Sequence, residues 1–133
     1  MRIAQRLVDE IVTHARGDLP NECCGMIGGV EGQARSVYRA RNDFASPFSF
    51  KIHSDDQFRI QAKEMPERGE DLLAIYHSHT KSPAYPSQTD LNEAEKWPEP
   101  IYVIVSFQDP EKPEVKGFWL KDNKIEEAEL VVE

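Results

Sequence analysis

His77 and His79 stand two residues apart, and Asp90 follows eleven residues after the second histidine. Two neutral imidazole nitrogens and one carboxylate make a ligand set that suits zinc, and a catalytic zinc keeps its fourth position open for water. The five residues ahead of the histidines, Leu72, Leu73, Ala74, Ile75 and Tyr76, are an apolar run that reads as a buried strand. Side chains two apart on a strand share a face, so both imidazoles can converge on one point at the strand's end. Turn-formers and polar groups fill residues 80–89, and Asp90 then opens a stretch of helical composition. Each residue also has an ordinary reading. A lone His-x-His can sit at a strand end in solvent. Asp90-Leu91-Asn92-Glu93 has the form of a capping box, and Ser87 or Thr89 could cap the same helix. The ensemble favours chemistry, because the histidines terminate a buried strand and the carboxylate lies at a fixed later turn.

The elements that must position these groups follow from periodicity. Ile3, Leu7, Val8, Ile11, Val12 and Ala15 have the spacing of an amphipathic helix, with Gly17 as its end. Residues 22–29 read as a strand whose glycines admit a close neighbour. Glu22, at its head, is out of place in a pure core segment. Residues 36–40 read as a strand and 42–47 as a loop. The alternation in residues 48–52 predicts a half-exposed strand. Ser54-Asp55-Asp56-Gln57 predicts a helix start, with a stop near Pro66 and Gly69. A short helix is expected from about Thr89 to Lys96. Residues 101–107 are the most hydrophobic run, hence a central strand. Residues 115–120 and 125–132 read as two closing strands around a type I′-prone turn at Asp122-Asn123. The sum is one α/β (α+β) domain over residues 1–133, with a mixed, mostly antiparallel sheet of six to seven strands and about three helices.

Composition narrows the function classes. At 133 residues, 39% apolar and 30% charged, the chain has the make-up of one globular domain with a real core. Its apolar runs fall far short of the roughly 20 residues that cross a bilayer. The N-terminal residues lack the apolar stretch of a secretory signal, so a cytoplasmic location is expected and a membrane partner is not. A net charge of −8 without any Lys/Arg cluster argues against nucleic acid. Cys23 and Cys24 are adjacent, so strand geometry sends their side chains to opposite faces. They read as small buried residues rather than as a disulfide or a reactive pair.

His77-Ser78-His79, seven residues, Ser87, two residues, Asp90 resembles the full signature of the JAMM (MPN+) zinc metallopeptidases. That family also has a glutamate near the start of an early strand, where Glu22 stands. The resemblance covers the whole chain. Within the family it is nearest to the short bacterial Mec+-like members, on Tyr76-His77-Ser78-His79-Thr80, Ala84-Tyr85-Pro86-Ser87 and Thr89-Asp90. It implies a cytidine-deaminase-like arrangement of sheet and helices. It also implies Zn²⁺ on His77, His79 and Asp90, with Glu22 as general base and then acid, and Ser87 as hydrogen-bond donor to the oxyanion. Ser78 should point to the opposite strand face. Tyr85 could line the substrate groove or pack the loop. Trp97 and Trp119 read as core, and His14 and His53 lie outside the signature.

In this family the bond cut joins the C-terminus of a ubiquitin-like protein to an amine. Only eight residues separate Thr89 from Pro98, which leaves little room for an insertion that would grip ubiquitin. A minimal enzyme of this kind fits a small ubiquitin-like sulfur carrier (CysO-, ThiS- or MoaD-like) as partner, and the resemblance implies removal of a terminal cysteine from it; a narrow Gly-Gly tail is expected to add as a strand beside the site. Such a reaction belongs to cysteine biosynthesis. Two alternatives are a deconjugating isopeptidase acting on lysine adducts and a non-catalytic MPN-type scaffold.

Overall fold

The computed structural model describes all residues from Met1 to Glu133. The strands are β1 (Arg2–Ile3), β2 (Cys24–Val30), β3 (Gln33–Ala40), β4 (Asp71–His79), β5 (Ile101–Ser106), β6 (Glu114–Lys121), β7 (Lys124–Ala128) and β8 (Val131–Val132). They form one sheet in the order β7-β6-β5-β4-β2-β3-β1-β8. β4 pairs antiparallel with β2 and parallel with β5, so it is interior, as its apolar run predicts. β7 and β8 are opposite edges, yet only Glu129 and Leu130 join them. Two extended residues span only about 7–10 Å, so the sheet curls until its edges approach each other.

The sheet is apolar on both faces. Helix α1 (Gln5–Asp18) lays Leu7, Val8, Ile11 and Ala15 on a cluster that contains Cys23, Ile27, Ala74, Tyr76, Val103 and Val105. The other face carries Cys24, Met26, Ile75, Tyr102, Ile104 and Phe118, covered by the remaining helices. These are α2 (Ser54–Phe58), a π-helical turn (Arg59–Glu64) and α3 (Met65–Glu67) in one continuous stretch, then α4 (Gln88–Ala94). Along β4 the alternation is strict. Ala74 and Tyr76 belong to the α1 face and Ile75 to the other, which is also the face of His77 and His79. No helix is long and apolar enough to cross a membrane.

Several expectations are corrected. The sheet has eight strands rather than six or seven, because β1 and β8 are two-residue strands at the chain ends that pair with each other. Two residues carry no periodicity to read, and residues 125–132 accordingly divide into β7 and β8. α1 runs past Gly17 to Asp18. Residues 48–52 are not a sheet strand, since only Ile52 bridges, to Asn42. The Asn42 side chain substitutes for a ladder there: its amide donates to the Ser49 carbonyl at 3.0 Å, and its Oδ1 accepts from the Lys51 N–H at 3.0 Å. The second helix is capped by His53, not Ser54, with Nδ1 accepting from the Asp55 N–H at 3.1 Å. It ends at Glu67, between Pro66 and Gly69 as expected, and the widened π turn ahead lets Pro66 sit in its last turn. The turn at Asp122 and Asn123 has φ of 54° and 58°, the left-handed pair a type I′ hairpin requires.

Candidate metal centre and catalytic cleft

The parallel β4–β5 pair ends in the centre. His79, the last residue of β4, lies in register with Ser106, and the Phe107 N–H donates to the His79 carbonyl at 3.0 Å. The chain then turns under the strand end. Ser106 Oγ donates to the Ser82 carbonyl at 2.5 Å, and the Pro83 carbonyl lies 2.9 Å from His79 Nδ1. Ser87 begins α4 through a reciprocal capping box. Its Oγ accepts from the Asp90 N–H at 3.1 Å, and its own N–H donates to Asp90 Oδ2 at 2.9 Å. Ser87 is thus the N-cap, and Asp90 sits three residues into the helix start with its carboxylate turned back toward β4.

His77 Nε2 and His79 Nε2 lie 3.1 Å apart. Asp90 places Oδ1 3.2 Å from the first and Oδ2 3.0 Å from the second. All three side chains are buried. A tetrahedral zinc with ligand bonds near 2.0–2.1 Å separates its ligand atoms by about 3.3 Å, so these spacings are close to the edges of such a polyhedron. The Pro83 carbonyl takes the Nδ1–H of His79, which fixes the tautomer that turns the Nε2 lone pair toward the centre. His77 is held by stacking on Phe50, with ring centroids 4.5 Å apart. The donor set and its convergence fit a metal ion.

Electrostatics divide the carboxylates. Burial alone would raise the Asp90 pKa, but the imidazoles of His77 and His79 and the Ser87 N–H outweigh it and hold Asp90 well below the usual carboxylate range. Burial likewise pulls His79 down, and hydrogen bonds to Asp90 and Pro83 more than offset it, leaving its pKa raised. Glu22 behaves oppositely. It is 5% exposed, and its Oε1 is buried without a hydrogen-bond partner. Burial is the dominant influence and pushes its carboxyl up to about 7, against the pull of His77 and His79. Its backbone is anchored, with its N–H on the Ser46 carbonyl at 2.8 Å and its carbonyl on Asn42 Nδ2 at 3.0 Å. Glu22, His79 and Ser87 line one cleft of about 240 Å³.

A profile built on prokaryotic homologs of the JAB domain matches residues 4–121. The chain belongs to that family. It is 38% identical over 128 residues to a Mycobacterium tuberculosis protein named CysO-cysteine peptidase, across 95% of this chain and 86% of the relative. It is 34% identical over 113 residues to a Pyrococcus furiosus protein named desampylase, across 84% and 76% of the two chains. A solution structure of a protein from Desulfitobacterium hafniense superposes with a TM-score of 0.90 at 33% identity, covering 100% of this chain and 93% of that one.

In this JAB-family chain the residues singled out from the sequence do not all meet. His77, His79 and Asp90 converge, and Glu22 and Ser87 share the adjoining cleft. Tyr85 stands apart. It is 55% exposed, packs edge-on to Phe118 at 5.7 Å and is not among the residues that line that cleft. Ser78 points to the α1 face, where its Oγ accepts from the Cys23 N–H at 2.8 Å and its own N–H donates to the Cys23 carbonyl at 3.2 Å. That double contact ties the residue next to Glu22 to the strand that carries both histidines. Cys23 and Cys24 are free, fully buried and in different clusters. Burial pushes the Cys23 thiol up to about 12 and Cys24 in the same direction, which leaves no thiolate at neutral pH. Sequence reading missed Phe50 and Asn42. Phe50 looked like one more alternating apolar residue. The only signal for Asn42 was its type, an amide able to satisfy two backbones at once.

Proposed function

We propose that the protein is a zinc-dependent metallopeptidase that hydrolyses the bond after the C-terminal Gly-Gly of a small ubiquitin-like sulfur carrier, releasing cysteine or another terminal residue in the cytoplasm. The observation that carries the reading is the convergence of His77, His79 and Asp90 beside a buried, unpaired Glu22. The relative named CysO-cysteine peptidase supports the choice of substrate. The protein is a hydrolase of the metallopeptidase type.

His77, His79 and Asp90 would hold the zinc, which when bound would supply a Lewis acid and lower the pKa of a water toward about 7. Glu22 takes the proton of the attacking water and hands it to the departing amine, and a carboxyl poised near 7 suits both transfers. Ser87 Oγ already accepts from the Asp90 N–H, so its own proton is free to donate to the developing oxyanion. The carrier tail lies along residues 48–52. Ser49, Lys51 and His53 spend backbone groups on residues 41–43, whereas the N–H and C=O groups of Phe50 and Ile52 have no partner. These form the free edge an extended peptide needs, beside an apolar cleft with Trp97 and Tyr102 in its wall.

The relative named desampylase supports the second reading, an isopeptidase acting on lysine adducts. Zinc-loaded protein incubated with carrier–cysteine and carrier–lysine adducts, followed by intact mass, decides between them. Loss of the terminal cysteine supports the proposal, and cleavage of the lysine adduct alone overturns it. Protein that neither contains nor binds zinc would leave the scaffold reading standing.

A further inference from the structure

Two clefts flank the centre, one beside each imidazole. The first, about 460 Å³, has Phe50, Ile52, Trp97 and Tyr102 in its wall, and Phe50 stacks on His77. The second, about 240 Å³, is lined by Glu22, Phe48, His79, Lys81 and Ser87 among others. Glu22, the group that protonates the departing amine in the reading above, opens onto the second cleft and not the first; it also borders a third, of about 550 Å³, whose Asp18 and Asp43 carboxylates disfavour an anionic departing residue. The acyl side of the scissile bond therefore belongs to the first cleft, and the departing residue to the second.

Lys81 is the one cationic side chain lining the second cleft. Arg41, Arg59 and Lys96 are tied to Asp56, Glu64 and Glu93, whereas Lys81 has no carboxylate within ion-pair distance; Lys51 is likewise unpaired, but it lines the first cleft, away from Glu22. The chain carries a net charge of −8, so an anion entering this cleft needs a local cation to hold it. When the departing group is a single amino acid, its α-carboxylate lies two bonds from the departing nitrogen. A lysine ammonium on a flexible four-carbon stem reaches such a group. A lysine side chain departing from a folded protein offers no carboxylate there. The cleft volume also falls below the ~300–1,000 Å³ that houses drug-sized ligands, which suits one small residue.

We propose that Lys81 binds the α-carboxylate of a single released residue and so selects carriers extended by one terminal amino acid over lysine adducts. This rests on the peptidase reading above. It makes Lys81 a specificity residue; Glu22 and Ser87 keep their roles.

The test uses zinc-loaded protein and a recombinant ubiquitin-fold carrier ending in Gly-Gly-Cys, prepared as the free acid and as the C-terminal primary amide. Cleavage is followed by intact mass to give kcat/KM for each. The parent protein should prefer the acid by roughly tenfold or more, the size of a hydrogen bond to a charged group. Lys81→Gln should lose that preference by slowing the acid while leaving the amide unchanged, and Lys81→Arg should restore most of it. Equal rates on acid and amide in the parent protein, or an equal loss on both in Lys81→Gln, would overturn the inference while leaving the peptidase reading intact. Failure of the parent protein to cut either form, with a carrier–lysine adduct cut in parallel, would overturn the peptidase reading itself.

Discussion

Glu22 is the residue at which function and stability conflict most directly. Its carboxyl is 5% exposed, one oxygen has no partner, and burial moves its pKa from 4.5 to about 7. Between those values the folded chain retains a proton that the unfolded chain has released. Stability contributed by this group therefore falls as pH rises from about 4.5, and the full penalty is in place above about 7. At 1.36 kcal/mol per pH unit the shift corresponds to about 3 kcal/mol, and water reaching the carboxylate from the cleft reduces it to about 2–3 kcal/mol. Glu22→Gln keeps the shape and removes the charge. Chelator-treated Glu22→Gln should therefore unfold at higher urea than the parent at pH 8, by about 2–3 kcal/mol, and the two should converge near pH 4. The same variant should hydrolyse nothing. Equilibrium unfolding followed by fluorescence of Trp97 and Trp119 measures both curves. A stability difference that is constant with pH, or a variant less stable than the parent at pH 8, would refute the account of Glu22 as a buried, unpaired acid.

Other outcomes follow from the same geometry. Asp90→Ala should lose zinc as well as activity by elemental analysis, and it should also lose the carboxylate that accepts the Ser87 N–H. Ser87→Ala should keep zinc and lower kcat by about 10²–10³, as loss of one oxyanion donor does. Ser78→Ala leaves the buried Cys23 N–H without its acceptor, so urea unfolding should register a loss of about 1–3 kcal/mol and the rate should fall as Glu22 loosens. Burial lowers the His14 pKa below 6.5, so the unfolded chain takes up that proton first and stability drops as pH falls through that value. His14→Gln should flatten the fall in Tm between pH 7.5 and 5.5.

The centre was more legible than the frame around it. His77, His79 and Asp90 are readable as a ligand set from their types and from a strand end followed by a short turn, whereas Ser87, which alone reads as a helix cap, stands out only through the family resemblance. The helix α1 and the interior strands β4 and β5 were legible for the same reason, as each carries many apolar residues at one period. The strands β1 and β8 were not, since two residues have no period and their pairing links residues more than a hundred positions apart. Residues 48–52 show the opposite failure: the alternation is genuine, but the partner is an asparagine side chain rather than a strand. Tyr85 was ambiguous because one aromatic in a turn fits a groove or a packing contact equally well, and its contact is Phe118.

The pairing directions of β4 explain why residues so far apart in sequence meet. β2 runs antiparallel to it, with Cys24 opposite His77, so the start of β2 lies beside the end of β4 and delivers Glu22 there. β5 runs parallel to it, so the chain cannot turn straight back from His79 into the next strand. It must cross to the other end of the sheet, and that crossover begins at the carboxyl end of β4. The first ordered element of the crossover is α4, whose capping box turns Asp90 back onto the two imidazoles. Had β5 been antiparallel, a tight hairpin could have replaced the crossover, and neither Ser87 nor Asp90 would have a place beside the histidines. The seven residues between His79 and Ser87 are the opening part of the crossover that the parallel pair requires. Shortening that interval by two residues should pull Ser87 out of its cap and abolish zinc binding, while the β4–β5 register, held by its own ladder, survives.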